Sequence, residues 1–161
     1  ESISIKERGF KEGDIFIQAD LAKSLELIQS RGQKVFYEGK LADQIVEDFA
    51  QNGGLISSED LLTYKVYLKD PICGIYKEYD VCSMPLPSSG GVAIIQMLNI
   101  IENFDLKNYS HNSLEYIELL MKIMSFAYAD RSKYLGDQEF FDAPVENLIS
   151  KKYAEKISKK I

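Results

Sequence analysis

The sequence has one histidine and two cysteines in 161 residues, so the side chains that bind transition metals are scarce. A structural zinc site usually needs four such ligands, and we therefore predict no metal site. The single histidine, His111, stands beside Asn112 in a polar stretch before a predicted helix. It does not indicate a Ser-His-Asp triad, in which a histidine connects a nucleophile to a carboxylate. We assign no catalytic residue to this chain and predict no cofactor.

Long apolar runs and an excess of basic residues are also lacking. No run approaches the roughly 20 apolar residues that cross a bilayer, so we predict no membrane span. The formal net charge of −6 disfavours nucleic-acid binding, because phosphate contacts need a basic surface. Lysines 151, 152, 156, 159 and 160 are interpreted as the exposed face of a last helix. The chain begins with Glu1 rather than methionine, which we interpret as a processed or cloned piece of something longer.

The composition is that of a folded chain, with 45% hydrophobic and 27% charged residues. We predict a single domain over residues 1–161, mainly α-helical with orthogonally packed helices and one small antiparallel β-hairpin. Residues 1–19 are predicted to form an extended arm, because glycines interrupt their loose alternation of apolar residues. Helices are predicted at 20–30, 40–51, a short stretch from Ser57 or Ser58, 92–104, 114–134 and 151–160, and extended segments at 33–38, 65–68 and 72–83.

The most unusual stretch is Met84-Pro-Leu-Pro-Ser-Ser-Gly-Gly91, which precedes an apolar helix. Ser88 or Ser89 is expected to cap that helix, because a serine hydroxyl accepts a hydrogen bond from a free backbone amide. Gly90 and Gly91 then fall in the first turn, where glycine is unfavourable unless a close neighbour, an unusual φ or a ligand requires it. We favour a packing role. The alternative is an oxyanion-binding site, which makes Ser88, Ser89, Gly90 and Gly91 the only candidates for substrate binding.

The two cysteines fall in the predicted hairpin. If Tyr76 faces Tyr79, then Cys73 faces Cys82 in a non-hydrogen-bonded pair, where the Cα atoms lie about 4.5 Å apart. That distance is just inside the range that a disulfide accepts. We favour two reduced cysteines, because the sequence does not establish an oxidising compartment, and keep the disulfide as the alternative.

The helices predicted at 92–104 and 114–134 are apolar around most of their circumference. A chain of 161 residues has limited means to bury both, so we expect a longer parent protein to lay further chain, such as a sheet layer, over them. In isolation the chain is expected to expose apolar surface there and to self-associate. At the end of the second helix, Asp130-Arg131 is interpreted as an ion pair or cap, with carboxylate binding by the arginine as the alternative.

An ordered set of short motifs resembles the γ-glutamyltranspeptidases (glutathione hydrolases), from about residue 11 to the end of the chain. Each motif alone is weak, and the specificity lies in their order and spacing. The motifs are Phe36-Tyr-Glu-Gly39, Asn52-Gly-Gly-Leu-Ile56, Glu59-Asp-Leu61 with Tyr64, Met84 to Gly91, Leu98-Asn-Ile100 to Phe104, Ala127-Tyr-Ala-Asp-Arg131 and Tyr134-Leu-Gly-Asp137. One departure is Glu78, in a hairpin turn where the family often has glycine.

The resemblance implies that this chain is the C-terminal half of the family's large subunit, within an N-terminal-nucleophile hydrolase of αββα sandwich architecture. In that family a threonine cleaves the precursor and becomes the nucleophile of the small subunit. That threonine would lie beyond Ile161, the substrate-binding arginine before Glu1, and the other pocket residues in the small subunit. The chain by itself is therefore expected to be inactive.

The partners implied by the resemblance are the remainder of the large subunit, the small subunit and, in the whole enzyme, glutathione. The parent protein is expected to be periplasmic or secreted. Two alternatives stay open, namely a related acylase acting on β-lactam side chains and a non-catalytic helical interaction domain.

Overall fold

The computed structural model describes residues 9–161, which form two compact units, one ending at Tyr67 and one running from Leu68 to Ile161. Residues 1–8 of the predicted arm lie outside the described residues, and residues 9–18 contain no helix or strand. The expectation of one domain over 1–161 stays a prediction. The elements are α1 (Ala19–Arg31), α2 (Lys34–Tyr37), α3 (Lys40–Gln51), α4 (Ser58–Thr63), β1 (Ile72–Tyr76), β2 (Tyr79–Ser83), α5 (Gly90–Ile101), a 3₁₀ turn (Leu106–Asn108), α6 (Leu114–Tyr134), α7 (Val145–Leu148) and α8 (Lys151–Ser158).

The first unit contains α1 to α4. Helix α3 has the predicted bounds, and α4 begins at a capping box in which the Ser57 hydroxyl and the Asp60 carboxylate accept each other's backbone amides. Asp20, the predicted cap of α1, lies instead in its first turn. The extended segment predicted at 33–38 is wrong, because α2 forms there and buries Val35.

The second unit is arranged around α5, which packs against β1, β2, α6, α7 and α8. The strands pair in the predicted antiparallel register, from Ile72 opposite Ser83 to Tyr76 opposite Tyr79. The predicted strand at 65–68 is wrong, because a strand needs a partner and the sheet of the described residues consists of β1 and β2 alone. Apart from Ile94, which is 43% exposed, α5 presents no strongly exposed large apolar side chain, contrary to the expectation for this helix.

Two glycines allow α5 to lie directly against the hairpin. A Cβ atom on Gly91 would lie 2.3 Å from the carbonyl oxygen of Met84, and one on Gly74 would lie 2.5 Å from Cγ2 of Ile95. Carbon atoms do not approach neighbours that closely, so each element presents a bare backbone position to the other. Neither glycine has a positive φ. Close packing, rather than an unusual conformation, therefore explains both residues.

The cysteines form a disulfide, so the favoured expectation of reduced thiols is wrong. Cys73 pairs directly with Cys82 across the hairpin, with 4.1 Å between the Cα atoms and 2.06 Å between the sulfurs. Both cysteines are exposed, on the face of the hairpin away from α5. The register alone brings the two side chains together, and the bridge fixes the two strands to each other.

The hairpin turn is attached to the helices through Glu102, which follows α5. The Glu102 carboxylate accepts hydrogen bonds from Nζ of Lys151 and from the backbone amide of Lys77, the latter at 2.6 Å. These bonds, that from Lys151 first, hold the pKa of Glu102 below its usual range. Lys77, rather than the atypical Glu78, adopts the left-handed conformation, with φ of 53°. The carboxylate of Glu102 thus holds the turn in a conformation that its own residues do not favour.

The packing of α5 leads to a test with a matched control one residue away. Gly91→Ala should lower the free energy of unfolding by about 1–3 kcal/mol, because the added methyl group meets backbone that is unable to rotate away. Gly90→Ala should have no destabilising effect and add up to about 1 kcal/mol, because alanine is a better helix former and the nearest atom to its Cβ is 3.8 Å away. Urea unfolding of the two variants measures both effects, and equal stability of the two would contradict the packing role of Gly91.

Candidate functional site

The candidate site is the turn that leads into α5, with Arg131 of α6, which contacts it. The turn contains a cis peptide bond between Leu86 and Pro87, and the amide of Ser88 donates to the carbonyl of Pro85 at 3.2 Å. Leu86 is 2% exposed and packs with Val92 and Leu148, while the Lys69 ammonium donates to its carbonyl oxygen at 3.0 Å. The turn is therefore held on its buried side by the apolar packing of Leu86, whereas Ser88 and Gly90 are exposed.

Ser89 occupies the cap position of α5, as predicted for one of the two serines, but its hydroxyl does not accept a backbone amide. It accepts a hydrogen bond instead from Nε of Arg131, 42 residues further along the chain, at 2.8 Å. The Arg131 guanidinium also lies 5.9 Å from the ring centre of Tyr128. The prediction of a serine-capped helix is thus wrong in its detail, because a charged donor from α6 replaces the backbone amide as the partner of the hydroxyl.

The two glycines of the motif have different surroundings. Gly91 is buried and in close contact with the hairpin, whereas a Cβ on Gly90 would meet nothing nearer than the Ser88 hydroxyl. Gly91 therefore supports the favoured packing role. The alternative of an oxyanion site at Ser88, Ser89, Gly90 and Gly91 stays a prediction, and only the first three have surface that a ligand could reach.

Asp130, expected to pair with Arg131 or to cap the helix, faces the interior instead. Its Oδ2 accepts from Nε2 of Gln96 at 2.6 Å and from the hydroxyl of Tyr153 at 2.8 Å, so that one oxygen connects α5, α6 and α8. Burial, followed by the hydrogen bond to Asp130, raises the pKa of Tyr153 to about 12. The tyrosine therefore stays a neutral donor over the whole physiological range.

Sequence reasoning missed this connection, although Gln96 and Asn99 stand out as polar residues in the otherwise apolar sequence of α5. Gln96 is 1% exposed, and Asn99, 3% exposed, donates to the carbonyl oxygen of Ile149 at 2.6 Å. A buried side-chain amide in an otherwise apolar helix needs a hydrogen-bond partner. This requirement could have identified both residues as contacts between α5 and other elements. Their partners lie 34 and 50 residues away and follow from the fold alone.

The described hydrogen-bond partner of Ser89 is not a base. A serine becomes nucleophilic through a neighbouring base, whereas a guanidinium donates hydrogen bonds and accepts none. His111 lies in the turn before α6. Within residues 9–161, no group of three or more histidine, cysteine, aspartate or glutamate side chains could hold a metal ion. No helix of that part of the chain is both long and apolar enough to cross a membrane.

The sequence pattern of the gamma-glutamyltranspeptidase family matches residues 3–161. The chain is 48% identical over 151 residues to the glutathione hydrolase proenzyme of Escherichia coli K12, covering 94% of this chain and 26% of the relative. It is also 41% identical over 139 residues to the acylase ACY 1 proenzyme of Pseudomonas sp. SE83, covering 86% of this chain and 25% of that relative. The chain thus spans about a quarter of the length of the curated relatives it matches.

Solved structures agree with this relationship. The fold superimposes on gamma-glutamyltranspeptidase of Helicobacter pylori with a TM-score of 0.85 at 45% identity, covering 95% of this chain and 44% of that one. A cephalosporin acylase from Bacillus halodurans gives a TM-score of 0.81 at 28% identity, covering 95% and 28% respectively. The match to the family over nearly the whole sequence, with close relatives among its enzymes, shows that this chain belongs to the gamma-glutamyltranspeptidase family.

Proposed function

We propose that this chain is a structural segment of a glutathione hydrolase precursor, corresponding to the C-terminal half of the large subunit. The observation that carries the proposal is the 48% identity to the Escherichia coli proenzyme over 94% of this chain. Because the segment equals only 26% of that relative, about three-quarters of such a precursor is contributed by other sequence. The proposed architecture of the whole enzyme is the αββα sandwich of the N-terminal-nucleophile hydrolases.

The proposed reaction transfers the γ-glutamyl group of glutathione through a threonine of the small subunit. The threonine hydroxyl attacks the γ-glutamyl carbonyl carbon and gives its proton to its own free amine. The carbon–nitrogen bond then breaks, and the proton goes to the departing cysteinylglycine amine. Water or the amine of an acceptor amino acid attacks the resulting ester, which regenerates the hydroxyl. Backbone amides stabilise the oxyanion in both steps.

The contribution of this segment to that reaction is to be a scaffold. The pairing of Ser89 with Arg131 supports this, since a guanidinium only donates hydrogen bonds and does not supply the base that a nucleophilic serine needs. The enclosure of Gly91 against Met84 supports it too, because one of the two glycines of the candidate substrate-binding motif is used for packing. We propose that the segment alone has no hydrolase activity.

A second candidate is an acylase that removes side chains from β-lactams. The 41% identity to the acylase ACY 1 proenzyme and the superposition on the cephalosporin acylase both favour it over an unrelated reaction. In the proposed enzyme the pocket that separates the two substrates belongs to the small subunit. A non-catalytic interaction domain is disfavoured, because the relatives named above are enzymes.

The proposal is tested with γ-glutamyl-p-nitroanilide, a cephalosporin and three proteins: this chain, the complete precursor, and a precursor whose threonine at the cleavage point is changed to alanine. We expect self-cleavage and release of p-nitroaniline by the unmodified precursor alone. Preferential deacylation of the cephalosporin by that precursor would establish the second candidate instead. Hydrolysis by the 161-residue chain, or undiminished hydrolysis by the threonine variant, would contradict the proposal.

We further propose that the parent protein is exported to an oxidising compartment, either the periplasm or the medium. The bridge between Cys73 and Cys82 supports this, because exposed disulfides persist where thiols are oxidised and are rare in the cytosol. The bridge closes a short loop with a sequence separation of 9, and closure of about ten residues stabilises a folded chain by roughly 2–3 kcal/mol in the chain-entropy description.

Fractionation of the producing cells, followed by mass spectrometry of the parent protein without reduction, tests the export proposal. We expect a single bridged peptide that contains both cysteines and no alkylated thiol, whereas a sample reduced beforehand should carry two alkyl groups. The reduced sample serves as the control for complete labelling. Two alkylated thiols in the unreduced protein, or a parent protein found only in the cytosolic fraction, would contradict the proposal.

A further inference from the structure

Helix α6 has two apolar faces on nearly opposite sides. The inner face carries Leu119, Ile123 and Ala127, which are 4% exposed or less. Leu119 and Ile123 pack in the core with residues of α5 and α8. The outer face, called the outer stripe, lies about 140° around the helix from the inner face at 3.6 residues per turn. The outer stripe consists of Leu114, Ile117, Met121, Met124 and Tyr128, which are 43 to 76% exposed.

The residues of the outer stripe follow each other at intervals of three, four, three and four. This is the spacing of the a and d positions of a coiled coil, which form a narrow seam along one side of a helix. Lys122 and Glu118, paired at 3.0 Å, and Ser125 give the stripe a polar boundary on one side. A narrow seam with this period fits the apolar face of another helix.

We propose that the outer stripe binds an amphipathic helix contributed by another part of the same precursor. The inference rests on the proposed function, which makes this chain a segment of a longer protein. Relatives extend well beyond this segment, since it covers 26% of the Escherichia coli proenzyme and 44% of the Helicobacter pylori chain. Most of the polypeptide that could cover the stripe is therefore absent from the described residues.

The size of the stripe favours an intramolecular partner over a second copy of this chain. Five residues over about four turns are far fewer than the roughly 20–30 residues a side that a stable interface between separate proteins uses. A helix tethered in the same polypeptide needs less contact area, because its effective concentration is high and little further entropy is lost on docking.

The outer stripe is tested by the rate of alkylation of single engineered thiols in the complete precursor. Met121→Cys places a thiol in the centre of the stripe, and Lys122→Cys places the control thiol one residue away, on the polar side. Iodoacetamide is used without a reductant, so that the bridge between Cys73 and Cys82 does not react. We expect M121C to react at least about tenfold more slowly than K122C in the folded precursor and at the same rate in urea.

A second variant, Ile117→Cys, repeats the test where M121C precursor is not obtained folded, with the same tenfold protection expected. Equal reaction rates of stripe and control thiols in the folded precursor would overturn the inference. Protection that disappears on dilution would also overturn it, because it would identify a second copy as the occupant.

The alkylation experiment and the assay of the proposed function can succeed or fail separately. A precursor that cleaves itself and hydrolyses γ-glutamyl-p-nitroanilide, yet reacts rapidly at M121C, leaves the function intact and removes the inference. A precursor that protects M121C at all dilutions but is inactive towards the γ-glutamyl substrate keeps the inference and removes the function.

Discussion

The second unit depends on the close approach of α5 to the hairpin, which is possible because two residues lack a Cβ atom. Gly91 on the helix and Gly74 on β1 each face atoms that a side chain would overlap. At this separation Ile95 packs against the strand, and Leu86, Val92 and Leu148 form a buried cluster beside it. A methyl group at Gly91 would push the helix away from the hairpin, and the dispersion contacts on both sides of α5 would weaken together.

The buried polar residues of α5 then fix how the other helices lie on it. Gln96 reaches Asp130 on α6, and Asn99 reaches the backbone before α8. The side chains of Gln96 and Asn99 are themselves buried, so loss of either partner would leave an unsatisfied polar group, a cost that apolar packing alone does not impose. Such bonds specify one arrangement among the many that apolar surfaces permit. Such a fixed arrangement agrees with the proposed role as a scaffold, in which the reacting groups lie outside this segment.

Local signals predicted much of this architecture, and distant partners account for what was missed. The bounds of α3 and α6 and the register of the hairpin follow from periodicity, caps and turn position, which are properties of neighbouring residues. The one-turn helix α2 was missed because burial of Val35 overrides a weak local preference. At the candidate site, the hydrogen-bond partner of Ser89 is Arg131, and the sequence around residue 89 contains no pattern that predicts this distant partner. The order of the motifs along the sequence predicted family membership, whereas the structural role of each motif depends on contacts that only the fold shows.

We infer that α5, which packs against the hairpin, α6 and α8 and has the most buried residues of any described helix, is the most stable element of the second unit. Native-state hydrogen exchange measures this directly, residue by residue. We expect the amides of Ala93 to Ile101, which donate within the helix or to the carbonyl of Ser89, to exchange only through global unfolding of the second unit, together with those of β1. Much faster exchange is expected in α1, which has no buried residue. Exchange in α5 at the rate of α1 would show that close packing against the hairpin does not stabilise this helix.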